Sequence, residues 1–157
     1  MSGRISYRNA SVKKVEIEEY MNVMRPLLEE GREVSMTVTG SSMSPFLTHG
    51  RDAVYMRKLD REPKKGDIVF YQRKTGQYVM HRIIKCKRGT YDLIGDGQTA
   101  VEHGIKREQI FARITKVRVR GKWIEAGDFW WEFFEHVWIL VVPFRRIFIS
   151  LYAKIRK

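Results

Sequence analysis

The sequence has little cysteine, with Cys86 as the one thiol in 157 residues. A single thiol excludes an intramolecular disulfide, so packing has to hold the fold together. The N-terminal stretch MSGRISYRNASVKK lacks the apolar core of a signal peptide. No run approaches the ~18 uninterrupted apolar residues expected of a membrane-spanning helix. With no export signal visible, we expect a cytoplasmic protein.

Acidic residues are also few, with 18 Asp and Glu against 30 Lys and Arg, which gives a net charge of +12. Such an excess favours anionic partners, which are nucleic acid, acidic lipid headgroups or acidic peptides. Hydrophobic residues make up 43% of the chain, so it is not a disordered tail. Its length suits a single domain with a real core.

The pattern along the chain predicts three segments. Residues 1–31 form a basic arm and a helix, with the helix predicted over 15–29 from apolar residues at helical spacing. Residues 32–126 consist of short strand-like runs separated by turns that contain Gly, Lys or Pro. Residues 127–157 are rich in aromatic residues. We therefore expect a mostly β (α+β) fold with a helical segment at each end.

The segment 127–157 holds three of the four Trp and five of the eight Phe residues. Its last part predicts an amphipathic helix, with basic residues away from an apolar face that contains Phe144, Ile147, Phe148, Leu151 and Ile155. Aromatic and basic residues on such a helix are typical of a membrane interface, so peripheral contact with an anionic membrane is expected. The alternatives are a helical hairpin that closes the core and a dimer interface.

The stretch TVTGSSMSPFLTHG, residues 37–50, follows a predicted strand and combines small hydroxyl residues with apolar ones. It is either a polar turn or a loop that presents a nucleophile. A serine hydroxyl needs a neighbouring base to remove its proton. His81, in YVMHRIIK, is the best candidate because period 2 puts it on an apolar strand face, where burial favours the neutral imidazole. The alternative is a core histidine bonded to a backbone carbonyl.

Asp96, in LIGDG, lies in a turn after the next strand, so its carboxylate is a candidate to orient the imidazole. Asp-Gly is also a favoured turn pair, and this alternative stays open.

The elements GSSMSPFL, KKGDIVFY, YVMHRIIK and LIGDG follow one another in this order. Together they resemble the type I signal peptidase and LexA-type serine peptidase superfamily, most closely the small signal-peptidase-like proteins with a histidine base. The resemblance covers about residues 34–119. It implies a signal-peptidase-like β-fold and endopeptidase activity that uses neither a metal nor another cofactor. The implied substrate is an extended peptide with small side chains beside the cleaved bond.

The resemblance also assigns roles to individual residues. The serine before the methionine of a Ser-Met-x-Pro element is the nucleophile, which maps to Ser42, with Met43 and Pro45 expected beside the substrate groove. His81 maps to the base, and Asp96 to the acid of the Gly-Asp element.

Three departures from the family pattern stand out. Many relatives carry a hydroxyl residue two positions before the nucleophile, where this chain has Gly40. The Ser42 N–H remains for an oxyanion hole, with Thr39 and Ser41 as secondary candidates. An N-terminal transmembrane anchor is not seen, and the residues before the first strand are too few for a helix-turn-helix domain.

A binding module without catalysis, which would contact nucleic acid or an anionic membrane, is the alternative function. The stretch KVRVRGK puts Lys116, Arg118, Arg120 and Lys122 on one strand face, which a phosphate backbone could contact. No aromatic residues are interleaved within this basic stripe, so nucleic acid is not the expected partner. Cys86 and the four histidines lack the ligand spacing of a zinc site.

Overall fold

The structure, a computed structural model, describes residues 17–155. Helix α1 covers residues 17–29, so the helix predicted over 15–29 is confirmed in its described part. Met21 and Leu28 are seven residues apart on the face that α1 buries against the sheet, as expected for an amphipathic helix.

Within residues 17–155, eight strands follow α1 in one antiparallel sheet. They are β1 Val34–Thr37, β2 Ala53–Arg57, β3 Ile68–Gln72, β4 Tyr78–Lys87, β5 Thr90–Ile94, β6 Glu102–Lys106, β7 Ile110–Val119 and β8 Lys122–Glu125. The strand order is β1-β2-β7-β3-β4-β5-β6, and β8 pairs with β7. The mostly β fold with a helical segment at each end is therefore confirmed.

Strand β4 is buried on both faces near its middle, where His81, Arg82 and Ile83 are all buried. His81 and Arg82 lie on opposite faces of β4, as period 2 predicts. They pair with Val69 and Ile68 of β3. Simple alternation would leave Arg82 in solvent. It is buried because the loop after β1 and the C-terminal segment cover that side of the sheet.

The chain ends in a helical stretch from Phe129 to Ile155, with α2 at Phe129–Glu132, a π-helical turn, a 3₁₀ turn and α3 at Arg145–Ile155. By length and composition alone it could cross a membrane, since its most apolar 18 residues have mean hydropathy 1.4 and only 11% of this window is buried in the protein. No membrane-spanning helix was predicted from the sequence, because the charges at Arg145 and Arg146 interrupt the apolar run.

The first half of this stretch is part of the core. The rings of Trp131 and Phe134 pack on Phe46, with ring centroids 6.2 and 4.7 Å away. Trp131, Phe134 and Ile139 are buried. The α3 helix packs differently, because Arg145 is its one buried residue.

Candidate active site

Ser42 lies in the turn that follows β1, half-buried at the wall of a cavity of about 330 Å³. Three apolar neighbours, Met43, Phe46 and Leu47, are buried in the core. Their burial fixes the loop and explains why the sequence puts large apolar residues next to small hydroxyl ones. Ser41 is exposed and does not line this cavity.

The far end of the same loop is fixed by Asp52, whose side chain is fully buried. Its carboxylate accepts the Thr48 N–H at 2.8 Å, the Arg120 N–H at 3.2 Å and the Arg51 Nε–H at 2.8 Å. Burial alone would raise the pKa of Asp52, but these hydrogen bonds outweigh it and the pKa is lowered. Sequence reasoning missed Asp52, because the backbone N–H groups of Thr48 and Arg120 that bind it are marked by no motif.

His81 lines the same cavity as Ser42 and is only 4% exposed. Burial lowers its pKa to about 4, so the imidazole is neutral at physiological pH, the form that a general base needs. Within residues 17–155, no hydrogen bond joins Ser42 to His81. Catalytic contacts of this kind often tighten only when substrate binds.

The Nδ1 atom of His81 lies 3.2 Å from the hydroxyl oxygen of Tyr71. Tyr71 donates its single hydroxyl proton to Glu102 Oε2 at 2.6 Å. The phenol oxygen can therefore only accept a hydrogen bond from His81, which puts the imidazole proton on Nδ1. The lone pair of Nε2 is then left to accept a proton.

Glu102 is held in turn by Arg73, whose Nη2 donates to Oε2 at 2.8 Å and whose Nε donates to Oε1 at 3.0 Å. Burial would raise the pKa of Glu102, but the hydrogen bonds from Arg73 and Tyr71 lower it overall, so the carboxylate is ionised. Burial raises the pKa of Tyr71, so the phenol stays protonated. Sequence reasoning missed Tyr71 and Glu102, which come from β3 and from the start of β6.

The backbone before Ser42 supplies candidate oxyanion donors. The Gly40 N–H is already used, because it donates to His49 Nδ1 at 2.8 Å. The Ser42 N–H has no acceptor within residues 17–155 and is free to bind an oxyanion. Thr39 lines the cavity beside Ser42, whereas Ser41 uses its carbonyl to accept the Ser44 N–H at 3.1 Å.

The family model of the Peptidase S24-like proteins matches residues 1–124, which include the serine loop, the buried histidine and its hydrogen-bonded partners. The chain belongs to the Peptidase S24-like family. This confirms the resemblance drawn from the ordered elements around Ser42, His81 and Asp96. No curated protein matches the chain.

Asp96, expected from the family's Gly-Asp element to orient the base, has a different partner in this S24-like chain. Its carboxylate is fully buried and accepts two hydrogen bonds from Arg82, each at 2.8 Å. Arg82 also donates to the Gly66 carbonyl at 2.9 Å. The partner of His81 Nδ1 is therefore Tyr71, and Asp96 instead forms a buried ion pair with Arg82. Removing one partner of such a pair typically costs about 3–5 kcal/mol of stability.

The two residues expected beside the substrate groove differ in position. Met43 is buried in the core and still lines the cavity beside Ser42. Pro45, which follows a cis peptide bond, is exposed, and the described lining of the cavity does not include it.

The four basic residues predicted on one strand face do not all lie there, because β7 ends at Val119, Arg120 lies in the turn and Lys122 belongs to β8. Lys116 and Arg118 remain on β7 and have aromatic neighbours that come from other strands. Lys116 Nζ lies 5.1 Å from the ring centroid of Tyr55 and 4.6 Å from that of Trp123. Arg118 lies 5.8 Å from the Trp123 centroid. Spacing along β7 could not reveal these contacts, because cross-strand pairing creates them.

One group of metal-ligating residue types comes together within the described chain. The ligand atoms of Glu132, Glu135 and His136 lie within 4.8 Å of one another at the surface. His136 Nε2 lies 3.0 Å from Glu132 Oε2, an i, i+4 pair on a helical turn. Helical spacing accounts for this arrangement.

Proposed function

We propose that the protein is a serine endopeptidase in which Ser42 is the nucleophile and His81 is the general base. The observation that carries this proposal is a buried, neutral imidazole in the same cavity as Ser42, with Nδ1 bound to Tyr71 and with no partner for Nε2 in the described part of the chain. A nucleophile, a base and a group that orients the base are the parts that serine catalysis needs.

In this mechanism His81 Nε2 takes the proton of Ser42 Oγ as Oγ attacks the carbonyl carbon of the peptide bond. The Ser42 N–H donates a hydrogen bond to the resulting oxyanion. The imidazolium then protonates the leaving amine, and the C–N bond breaks to leave an acyl-enzyme. Water, deprotonated by His81, attacks the ester, and release of the carboxylic acid returns the proton to Ser42.

The ionised carboxylate of Glu102 acts on His81 through the Tyr71 hydroxyl. Its negative charge favours the imidazolium that forms in the transition state, and Tyr71 keeps the ring in one orientation. Burial lowers the pKa of His81, and the charge of Asp96, whose oxygens bind Arg82, opposes a small part of that lowering at longer range.

The proposed substrate is an extended peptide with small side chains beside the cleaved bond. Strand β1 lies at one end of the described sheet and leads directly into the serine loop. A substrate strand that pairs with such an edge would use main-chain hydrogen bonds for affinity. Met36 and Val38 from this edge line the cavity, so apolar side chains of the peptide can pack there.

A fluorophosphonate that reacts with activated serines tests the peptidase proposal. The expected result is one covalent adduct, which mass spectrometry locates on Ser42. An adduct on Ser41, or the absence of any adduct on the folded protein, would contradict the proposal.

The alternative is a binding module on the same fold. It is favoured by the cluster of Tyr55 and Trp123 with Lys116 and Arg118, since aromatic and cationic side chains together can stack bases and contact phosphates. This function predicts salt-dependent binding of random single-stranded oligonucleotides by a protein that the phosphonate does not label.

We also propose that the protein attaches to an anionic membrane surface through its C-terminal segment, which fits a cytoplasmic location because anionic lipids enrich the cytoplasmic leaflet. This segment exposes large apolar side chains, at half or more of their surface for Phe129, Trp130, Leu140, Phe144, Ile147, Phe148, Leu151, Tyr152 and Ile155. Arg146 and Lys154 are exposed on the same segment, and the net charge of +12 adds long-range attraction.

The packing favours a segment that lies on the membrane over one that crosses it. Trp131, Phe134, Ile139 and Arg145 are buried against the rest of the protein, so the first half of the segment would have to leave the core in order to enter lipid. The 11 residues of α3 rise only about 16 Å, half of the ~30 Å hydrocarbon thickness.

Flotation with vesicles of phosphatidylcholine and phosphatidylglycerol tests the attachment. Phe148→Ser is expected to weaken binding about tenfold, because burying one large apolar side chain is worth ~1.5–3 kcal/mol. Val23→Ser is the matched control, because Val23 is an equally exposed apolar residue on α1. Equal flotation of the Phe148→Ser and wild-type proteins would refute this surface.

A further inference from the structure

Arg145, the first residue of α3, is directed into the protein although the helix that follows is exposed. Its side chain is only 2% exposed. Nη1 donates to the carbonyl of Gly95 at 2.9 Å and to that of Gln98 at 3.1 Å. Trp138 adds a third contact, because its Nε1–H donates to the Asp96 carbonyl at 2.7 Å. The C-terminal segment therefore holds three carbonyls of one turn, the 95–98 turn.

The 95–98 turn is packed directly against the backbone of the nucleophile. The Gly97 N–H donates to the Ser42 carbonyl at 2.9 Å. A Cβ on Gly95 would lie 2.3 Å from that carbonyl oxygen, so the two segments approach as closely as a glycine allows. Any shift of the turn is transmitted to Ser42, and a misplacement of about 1 Å can cost on the order of a hundredfold in rate.

The α3 helix also borders the active site from the other side. Ile149 contributes to the surface groove that is lined by His81 and by residues 97–102. The helix that presents apolar side chains to the surroundings is thus a neighbour of both the base and the turn that supports the nucleophile.

The order of α3 depends on what covers its apolar side chains. It has 11 residues, and isolated helices of this length are marginal in water. Ile147, Phe148 and Leu151 are each at least half exposed, so the protein itself does little to hold them. A bilayer surface buries these side chains and stabilises the helix, which holds Arg145 at its first turn more firmly in its contacts with the 95–98 turn.

We propose that Arg145 is a positioning residue that couples lipid contact by α3 to the 95–98 turn and so to Ser42, which makes the peptidase more active on an anionic membrane. This proposal rests on the proposed function of Ser42 and on the membrane contact of α3. It assigns to Arg145 a role that neither of them requires.

The test measures the rate at which the fluorophosphonate labels Ser42 in the full-length protein, with and without phosphatidylcholine–phosphatidylglycerol vesicles. We expect vesicles to raise the wild-type rate about tenfold, within the 5- to 150-fold range of typical couplings. Arg145→Gln should float with vesicles as well as the wild type but label at the same rate with and without them. Arg145→Lys should recover part of the activation, because an ammonium group can still donate to both carbonyls.

Arg146→Gln is the matched control. It removes the same charge from the neighbouring position of α3, but Arg146 is exposed. With vesicles in excess, so that the lost charge does not limit membrane binding, it should keep the wild-type ratio of labelling rates. A lower ratio in Arg146→Gln would attribute the effect to charge or to helix stability instead of to the contacts of Arg145.

The outcomes separate the proposals. A wild-type protein that floats and labels equally fast with and without vesicles refutes the coupling, as does an Arg145→Gln protein that vesicles activate like the wild type. Absence of labelling under every condition refutes the peptidase, and absence of flotation refutes the membrane contact. If Arg145→Gln does not fold, the folded Arg145→Lys protein is the test. An activation ratio equal to that of the wild type in both Arg145→Lys and Arg146→Gln would overturn the role of Arg145.

Discussion

The Ser42→Ala protein is expected to hydrolyse peptides roughly 10⁴- to 10⁶-fold more slowly than the wild type, with no loss of stability. In the proposed mechanism Oγ of Ser42 forms the acyl-enzyme, and alanine has no hydroxyl to replace it. The side chain makes no hydrogen bond within residues 17–155, so its removal breaks no contact there. The measurement is kcat on a library of extended peptides, together with the free energy of unfolding in urea.

Ser41→Ala is the matched control for this prediction. Ser41 is the preceding residue and carries the same hydroxyl, but it is exposed and does not line the cavity. Its replacement should leave kcat within a few-fold of the wild type. A large loss in Ser41→Ala with activity kept in Ser42→Ala would exchange the roles of the two serines.

The second large effect is expected at His81. Replacement by glutamine removes the proton acceptor, so kcat should fall roughly 10⁴- to 10⁶-fold, as for the nucleophile. In the wild type, burial lowers the pKa of His81 to about 4, so the base stays neutral well into the acid range. We therefore expect kcat/KM to be kept at pH 5 and to fall only as pH approaches 4. An activity lost near pH 6.5 would contradict the buried, neutral base.

The dependence of stability on pH is an independent test of the lowered pKa of His81. Because the folded pKa lies below the unfolded value of about 6.5, the unfolded chain binds the extra proton first. The free energy of unfolding is therefore highest, as far as His81 is concerned, above pH 6.5. It decreases by about 3 kcal/mol as the pH falls from 6.5 towards 4. The His81→Gln protein should lack this part of the pH dependence, which urea unfolding of both proteins at pH 7 and pH 4.5 would reveal.

Tyr71→Phe separates orientation from proton transfer. The ring stays in the core, but the acceptor for the His81 Nδ1–H is lost, so kcat should fall about a hundredfold while His81 remains available as a base. If Asp96 oriented the imidazole, Tyr71→Phe would leave kcat unchanged.

The sequence predicted the parts of the site that lie in local patterns. The serine loop is recognisable because small hydroxyl and apolar residues alternate after a strand, and His81 because it interrupts an apolar strand face. The two residues do reach one cavity. Thr39 also lines this cavity, and its part in an oxyanion hole stays a prediction.

The partners of these residues could not be predicted, because they depend on pairings across the sheet. Tyr71 and Glu102 are 31 positions apart and meet only when β3 and β6 flank β4 and β5. Asp96 follows the expected strand and has the expected chemistry, but a buried Arg82 on the opposite face of β4 takes its carboxylate. The alternating pattern of β4 predicts a solvent-facing position for Arg82. The side chain is buried because the loop after β1 and the C-terminal segment cover that face of the sheet.

The contacts of Arg145 in the C-terminal segment could not be predicted from the sequence either. The amphipathic pattern of this segment assigns Arg145 to the polar side of a surface helix, but the side chain is buried against three backbone carbonyls of its surroundings. Charge in a sequence does not reveal whether an arginine faces water or serves as an internal hydrogen-bond donor.

The packing of Trp131 and Phe134 on Phe46 has an evolutionary consequence. Phe46 stands four residues after Ser42, so the C-terminal segment and the serine loop share one set of packed rings. Neither partner can change volume alone without opening a void or a clash. Among homologous chains, substitutions at these three positions should be correlated, and the C-terminal segment should be inherited together with the serine loop as one unit.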